Sequence, residues 1–203
     1  MLPLAPAGLV RPMTEPSAPV PFTVAGPPGP GRLSTMVRPR GHANLAADMT
    51  ALREAGTDIL VCALPDAERA GLGLADEPRL AEAAGLRFVA LPIPDFTVPS
   101  IPVVLPALRE LAAELRAGAH VVAHCRCAIG RSSLIAVSLL ILLGITPEAA
   151  WASMERARGE AVPDTEEQRA WTLELLRVVS SGGQRPEQKL AVRPSDRQPP
   201  SAP

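Results

Sequence analysis

The sequence predicts a single α/β domain, with a central, mostly parallel sheet flanked by helices on both faces. Short apolar runs of strand length alternate with longer amphipathic segments between residues 31 and 180. The strand runs are apolar at nearly every position, as in a sheet covered on both sides, rather than alternating with polar residues. With 203 residues, 47% of them apolar, the chain can bury one proper core.

The elements follow in order. Residues 31–36 read as a short strand, and 44–55 as an amphipathic helix closed by Gly56. Asp58-Ile59-Leu60-Val61-Cys62-Ala63-Leu64 is a buried strand. Residues 77–84 form part of a helix ending at Gly85, 86–91 the next strand, and 103–116 a helix ending near Gly118. Residues 119–124 are the central strand. The helix over 131–143 is apolar on nearly every face and therefore buried, and Gly144 stops it. Thr146-Pro147-Glu148 opens the following helix with a cap, a proline at the first position and an acid in the first turn. Asp164 or Thr165 begins the last helix, which runs towards Val179. Ligands of such sheets bind beyond the carboxyl ends of the strands, where His124 and Asp95 fall.

The flanks differ in composition. Residues 1–30 read as a Pro-rich flexible segment without the basic start and continuous apolar core of a secretory signal, and Met13 is an alternative start. Residues 181–203 read as a disordered Pro- and Gly-rich tail of mixed charge. No run reaches membrane-spanning length. The 20 basic and 21 acidic residues give no electrostatic footprint for nucleic acid or an anionic membrane. Only 2% of residues are aromatic and there is no tyrosine, so base-stacking platforms are absent. Three cysteines, an odd number, fit a reducing cytoplasm rather than a disulfide framework, and the Ala-, Arg- and Pro-rich usage suggests a GC-rich bacterial genome. No oligomeric state can be read.

The chemistry concentrates in Val121-Val122-Ala123-His124-Cys125-Arg126-Cys127-Ala128-Ile129-Gly130-Arg131-Ser132-Ser133. A strand ends in His-Cys, five residues follow, then an arginine opens an apolar helix. A cysteine at a helix N-terminus has its thiolate stabilised by the macrodipole and by unpaired amides. The same amides, from Arg126, Cys127, Ala128, Ile129 and Gly130, cradle phosphate oxygens. Arg131 adds a planar fork that pairs bidentately with two of them. The hydroxyl of Ser132 or Ser133 is placed to hydrogen-bond the sulfur as a leaving group. The bland alternative is a buried strand-end cysteine beside a surface arginine.

Residues His124 to Ser132 resemble the signature of the protein tyrosine phosphatase superfamily, Cys-x5-Arg followed by Ser or Thr, with a preceding His. The resemblance extends over about residues 30–180 and implies the compact, dual-specificity-like branch and its fold. It implies a cysteine-dependent phosphatase acting on phosphoproteins through a cysteinyl-phosphate, without cofactor or metal. Phosphotyrosine is expected ahead of phosphoserine or phosphothreonine. The variable loop positions Arg126, Cys127 and Ile129 lack the lysines that phosphoinositide phosphatases tend to carry there. Ala128 departs from the pattern, since the family usually has glycine there for a positive φ; the expected result is a slightly strained, functional loop.

Compact members carry their general acid on a loop about 30 residues before the nucleophile. Asp95 has that spacing and is the only carboxylate in residues 87–108. It would protonate the leaving oxygen and then activate water; the alternative is an Asp shaping a turn between prolines. Gln168 matches a position that orients water in several compact members, and equally forms a capping box with Thr165. Cys62 reads as a small buried hydrophobe, and Cys127 as a strained disulfide partner for Cys125. His120, His124, Cys125 and Cys127 superficially suggest zinc, but their strand and loop directions do not converge. A phosphate-binding pseudophosphatase that recognises phosphorylated partners is the alternative from another class, with Ala128 its only support. A sulfurtransferase or arsenate reductase is a second enzyme alternative.

Overall fold

The computed structural model describes residues 20–25 and 28–181, so the remaining parts of the two flanks lie outside the described residues. Five strands form one sheet: β1 (Phe22–Val24), β2 (Arg32–Met36), β3 (Ile59–Cys62), β4 (Arg87–Ala90) and β5 (His120–His124), ordered β1-β2-β5-β3-β4. β1 runs antiparallel to β2; all other pairings are parallel. The helices are α1 (Leu45–Glu54), α2 (Asp66–Gly71), α3 (Glu77–Ala83), α4 (Ile101–Ala117), α5 (Arg131–Leu142), α6 (Pro147–Arg158) and α7 (Glu166–Ser181). α1 packs with α3 against the β4 side, while α4, α6 and α7 surround α5, which lies against β2 and β5. This is the α/β architecture expected.

Two features set the site. β5 lies between β2 and β3 in parallel register, with His124 opposite Met36 on one side and Cys62 on the other. Every position of β5 and of β3 is buried, as two covered faces require. Because β3, β4 and β5 are parallel, the segments leaving their carboxyl ends all emerge on one edge. Those segments carry Glu68, Asp95 and Cys125 respectively.

α5 is buried from Arg131 to Ile141 and makes the middle of the larger helical layer. Its first turn carries no acid, and no side chain caps it. Its N-terminal amides are therefore free for an anion. Thr146 caps α6 through the amide of Ala149, and Gly159 ends α6 with φ of 70°.

The sequence reading missed two elements. The region 1–30 reads as a flexible flank because prolines dominate it, yet Phe22–Val24 pairs along β2, with Val24 2% exposed. Phe22 also lies under the guanidinium of Arg158, 4.0 Å from ring centroid to Cζ. α2 is too short and too polar to show a helical period. α4 begins two residues earlier than its expected start at residue 103, since Pro102 fits the first turn of a helix. Among the described residues no helix is long and apolar enough to cross a membrane.

Because Val24 closes the core beneath β2, Val24→Asp is expected to destabilise the domain by roughly 2–4 kcal/mol, as burial of an unpaired charge does. Urea unfolding measures this, and an unchanged midpoint would show that residues 22–24 are dispensable.

Candidate active site

The segment from Cys125 to Gly130 links β5 to α5 and wraps around one point. Three of its carbonyls are tied by neighbours. The Arg38 amide donates to the carbonyl of Arg126 at 3.4 Å, and the Arg158 guanidinium donates to that of Cys127 at 3.4 Å. The Ser133 hydroxyl donates to that of Ala128 at 3.4 Å. In a planar trans peptide the N–H points opposite to the C=O. Anchoring these carbonyls therefore turns the amides of Cys127, Ala128 and Ile129 the other way. Those amides and the N-terminus of α5 form an anion cradle.

Ala128 adopts φ of 61° and is fully buried. That left-handed conformation costs a residue with a Cβ roughly 1–2 kcal/mol relative to glycine. The departure noted in the sequence is thus accommodated as local strain.

The Cys125 sulfur lies 3.3 Å from the Ser132 hydroxyl and is 3% exposed. Arg131 is 2% exposed, and two carboxylates hold it. Glu68 takes it bidentately, at 2.7 Å to Nη1 and 3.1 Å to Nη2, and Asp95 lies 3.1 Å from Nη2. The carbonyl of Ile93 accepts a further bond from Nη1 at 3.3 Å. The hydrogen bond from Arg131 holds the Glu68 carboxyl below the usual range, and its charge adds to the effect.

Asp95 sits on the loop that follows β4. Two side chains of α7 pin that loop: Gln168 Nε2 donates to the carbonyl of Thr97 at 3.3 Å, and Trp171 Nε1 to that of Pro99 at 2.7 Å. The Gln168 amide also bonds the Thr165 hydroxyl at 3.2 Å, so the cap half of the expected box forms. The side chain does not return to the cap; it reaches the Asp95 loop instead.

A hollow of about 90 Å³ opens between these groups. Cys125, Arg126, Cys127, Ile129, Gly130 and Arg131 line it from the loop, Asp95 and Phe96 from the second loop, and Asp164 from a third. Burial and the nearby Asp95 charge raise the pKa of Asp164 above the ordinary aspartate value, against the pull of Arg131 and of the Gly130 amide. Gly130 has a steric reason to lack a side chain: a Cβ there would fall 2.1 Å from Asp164 Oδ2.

Residues 34–145, more than half of the chain, match the family model Tc-R-P, described as "Polymorphic toxin system, DSP-PTPase phosphatase". The chain belongs to this family. Kinase associated phosphatase, in a form whose catalytic-site cysteine is replaced by serine, superposes with a TM-score of 0.73 at 20% identity, covering 83% of this chain and 98% of that one. Tk-PTP in its active form gives a TM-score of 0.61 at 28% identity, covering 72% and 92%. A protein tyrosine phosphatase from Leishmania major gives 0.60 at 17%, covering 76% and 96%. No curated protein matches the chain.

In this DSP-PTPase domain the structure brings together Cys125, Ser132, Arg131, Asp95 and the loop residues 126–130. Gln168 is fully buried beside them. The ring of His120 bonds Ser34 at 3.0 Å and the carbonyl of Gly56 at 3.2 Å, away from the hollow. Cys62 is buried and Cys127 exposed, and all three cysteines are free. Sequence reasoning missed Glu68 and Asp164. The only available signal for Asp164 was its place just before the last helix, where it reads as a cap.

The loop therefore carries one strained alanine and one obligatory glycine. Ala128→Gly is expected to raise stability by roughly 0.5–1 kcal/mol, strain relief exceeding the entropy of glycine, with activity retained. Gly130→Ala is expected to lower stability by about 1–3 kcal/mol, since Asp164 must move. Urea denaturation of both variants checks the pair, and a destabilised Ala128→Gly would contradict the loop geometry.

Proposed function

We propose that this protein phosphatase domain hydrolyses phosphomonoesters in proteins through a cysteinyl-phosphate on Cys125. The observation that carries the reading is the hollow itself, which sets a sulfur, an arginine fork, freed amides and a carboxylate around one anion-sized space. The Cys125 thiolate attacks phosphorus as the ester oxygen leaves. Arg131, the amides of Cys127, Ala128 and Ile129 and those of the first turn of α5 hold the three non-bridging oxygens, over which the charge is spread in the transition state. Asp95 protonates the departing oxygen. In the second step the Asp95 carboxylate takes a proton from water, which attacks phosphorus, and the sulfur leaves with the Ser132 hydroxyl donating to it.

An incoming dianion competes with Asp95 for Arg131. Asp95 is the half-exposed partner, at 41%, while Glu68 holds the fork bidentately at 21%. Substrate thus displaces Asp95 from the guanidinium towards the ester oxygen and leaves Glu68 in place as the group that orients Arg131.

The same surroundings support phosphotyrosine as the preferred substrate. Phe96 is 60% exposed, has φ of 58° and lines the hollow beside Ile129. An exposed aromatic held in a strained conformation at a pocket is a candidate wall for a substrate ring. Gln168 supports the Asp95 loop, so its contribution is positional. A cytoplasmic location accords with the composition and the free thiols.

Hydrolysis of p-nitrophenyl phosphate tests the mechanism. Cys125→Ser is expected to abolish turnover while still binding tungstate, which needs no bond to sulfur. Asp95→Asn should lower kcat by roughly 10²–10⁴-fold with KM little changed. Activity should persist in chelators. Turnover surviving Cys125→Ser would overturn the mechanism, and retained phosphopeptide binding without any wild-type turnover would favour a pseudophosphatase.

A further inference from the structure

Two carboxylates line the hollow, and the mechanism above uses only that of Asp95. The other, Asp164, lies between α6 and α7. Pro163 precedes it, and the Thr165 hydroxyl that follows caps α7 through the amide of Gln168. This framing sets the carboxylate against the start of α5: a Cβ on Gly130 would fall 2.1 Å from Asp164 Oδ2 and 3.0 Å from Gln168 Nε2. The amide of Gly130, the N-cap residue of α5, donates to the same carboxylate. Unlike Glu68 and Asp95, Asp164 forms no ion pair within 4.0 Å among the described residues. A negative oxygen thus stands on an amide at a helix N-terminus, the kind of donor that a phosphate oxygen needs.

Charge around the hollow is unbalanced. Cys125, Asp95 and Asp164 line it together with Arg126 and Arg131, and Glu68 reaches it through the Arg131 fork. With the thiolate formed, the negative groups already outnumber the arginines before any substrate arrives. A phosphate dianion adds further negative charge, and a like charge close to a carboxylate favours its protonated form. Asp95 needs one proton for the leaving oxygen; Asp164 is the carboxylate that remains against the anion.

We propose that Asp164 is a proton-linked substrate-binding residue: its carboxylate rests on the Gly130 amide in the free protein and takes up one proton when a phosphate dianion enters, so that the neutral carboxyl donates its O–H to an oxygen of the anion. The inference rests on the reading of the hollow as the phosphate site.

The electrostatics agree with this geometry. Burial, and then the Asp95 charge, raise the pKa of Asp164 above the ordinary aspartate value; Glu160 adds to the rise, and Arg131 and the Gly130 amide oppose it. Asp95 faces Asp164 from the loop after β4, Arg131 from α5 and Glu160 from its own segment. Asp164 is an exposed residue and Asp95 is 41% exposed, so solvent supplies the proton directly. A group that binds its proton more tightly in the complex makes anion affinity highest at low pH. Affinity then falls as pH rises through the interval between the free and the complexed pKa of Asp164.

The experiment is calorimetric titration with tungstate, a tetrahedral dianion, of the full chain carrying Cys125→Ser, where no thiol titrates. Buffers of different ionisation enthalpy give the number of protons taken up on binding, from mildly acidic to mildly basic pH. Asp164→Asn added to this parent is expected to lower the uptake by about one proton and to flatten the pH dependence. It should also bind tungstate roughly five- to tenfold more tightly at mildly basic pH, as removal of a nearby like charge does. Asp95→Asn in the same parent should leave the Asp164 proton in the count. Uptake and pH dependence unaltered by Asp164→Asn would overturn the proposal, as would their loss in Asp95→Asn alone. Should Asp164→Asn not fold, the carboxyl carbon shift of Asp164 in the parent decides: protonation on adding tungstate supports the proposal, and an ionised carboxylate overturns it. A parent that binds no tungstate at any pH overturns the phosphate-site reading as well, whereas tight binding with unaltered linkage rejects this inference alone.

Discussion

A guanidinium that is 2% exposed must be neutralised where it stands, and the architecture around the candidate active site follows from how this is done for Arg131. Its partners arrive from two neighbouring strands: Glu68 after β3 and Asp95 after β4. Both can reach because β3, β4 and β5 are parallel and release their chains on one edge. Burying a charge with partners from separate loops ties those loops to one another, and removing either partner alone would leave the other charges uncompensated. The arrangement also ranks the partners. The bidentate, less exposed Glu68 is structural, whereas the single contact of the more exposed Asp95 is exchangeable. An anion can therefore enter the site without disturbing the guanidinium that receives it.

The loop beside Arg131 is shaped by the same logic applied to the backbone. Its carbonyls are satisfied outward by Arg38, Arg158 and Ser133, so its amides are available inward. Arg158 spans from the loop to the ring of Phe22 on β1, which links an edge strand to the anion cradle. α5 cannot shift to relieve Ala128, because it is buried along nearly its whole length. The strain at Ala128 persists where packing fixes both ends of the loop.

How much of this could be read from the residues alone depends on sequence range. The α/β alternation, the buried α5 and the Cys125–Gly130 loop between β5 and α5 were legible because each is a local pattern. A strand period ends, five residues follow, and an apolar helix starts. Asp95 was legible through spacing and through the absence of any competing carboxylate nearby. β1 was not, since three residues among prolines carry no period. Glu68 lies on a helix of six residues, and its partner Arg131 is 63 positions away. Asp164 reads locally as a cap, and only the fold brings it over Gly130. Glu77 looks like an ordinary acid in a first helical turn, yet it points into the core. Glu68, Asp164 and Glu77 were missed because their partners Arg131, Gly130 and His124 lie far away along the chain, and no local pattern specifies such contacts.

The strand order puts the loop between two carboxylate contacts of different kinds. On the hollow side Arg131 carries the positive charge and is held by carboxylates. On the core side His124 sits at the strand end against Glu77. The first meets solvent at Asp95, which is 41% exposed; the second is sealed, with both partners at 0%. The exposed pair faces the hollow, while the sealed contact leaves the Glu77 carboxylate beside His124 in a core that also buries Asp48 against Arg40.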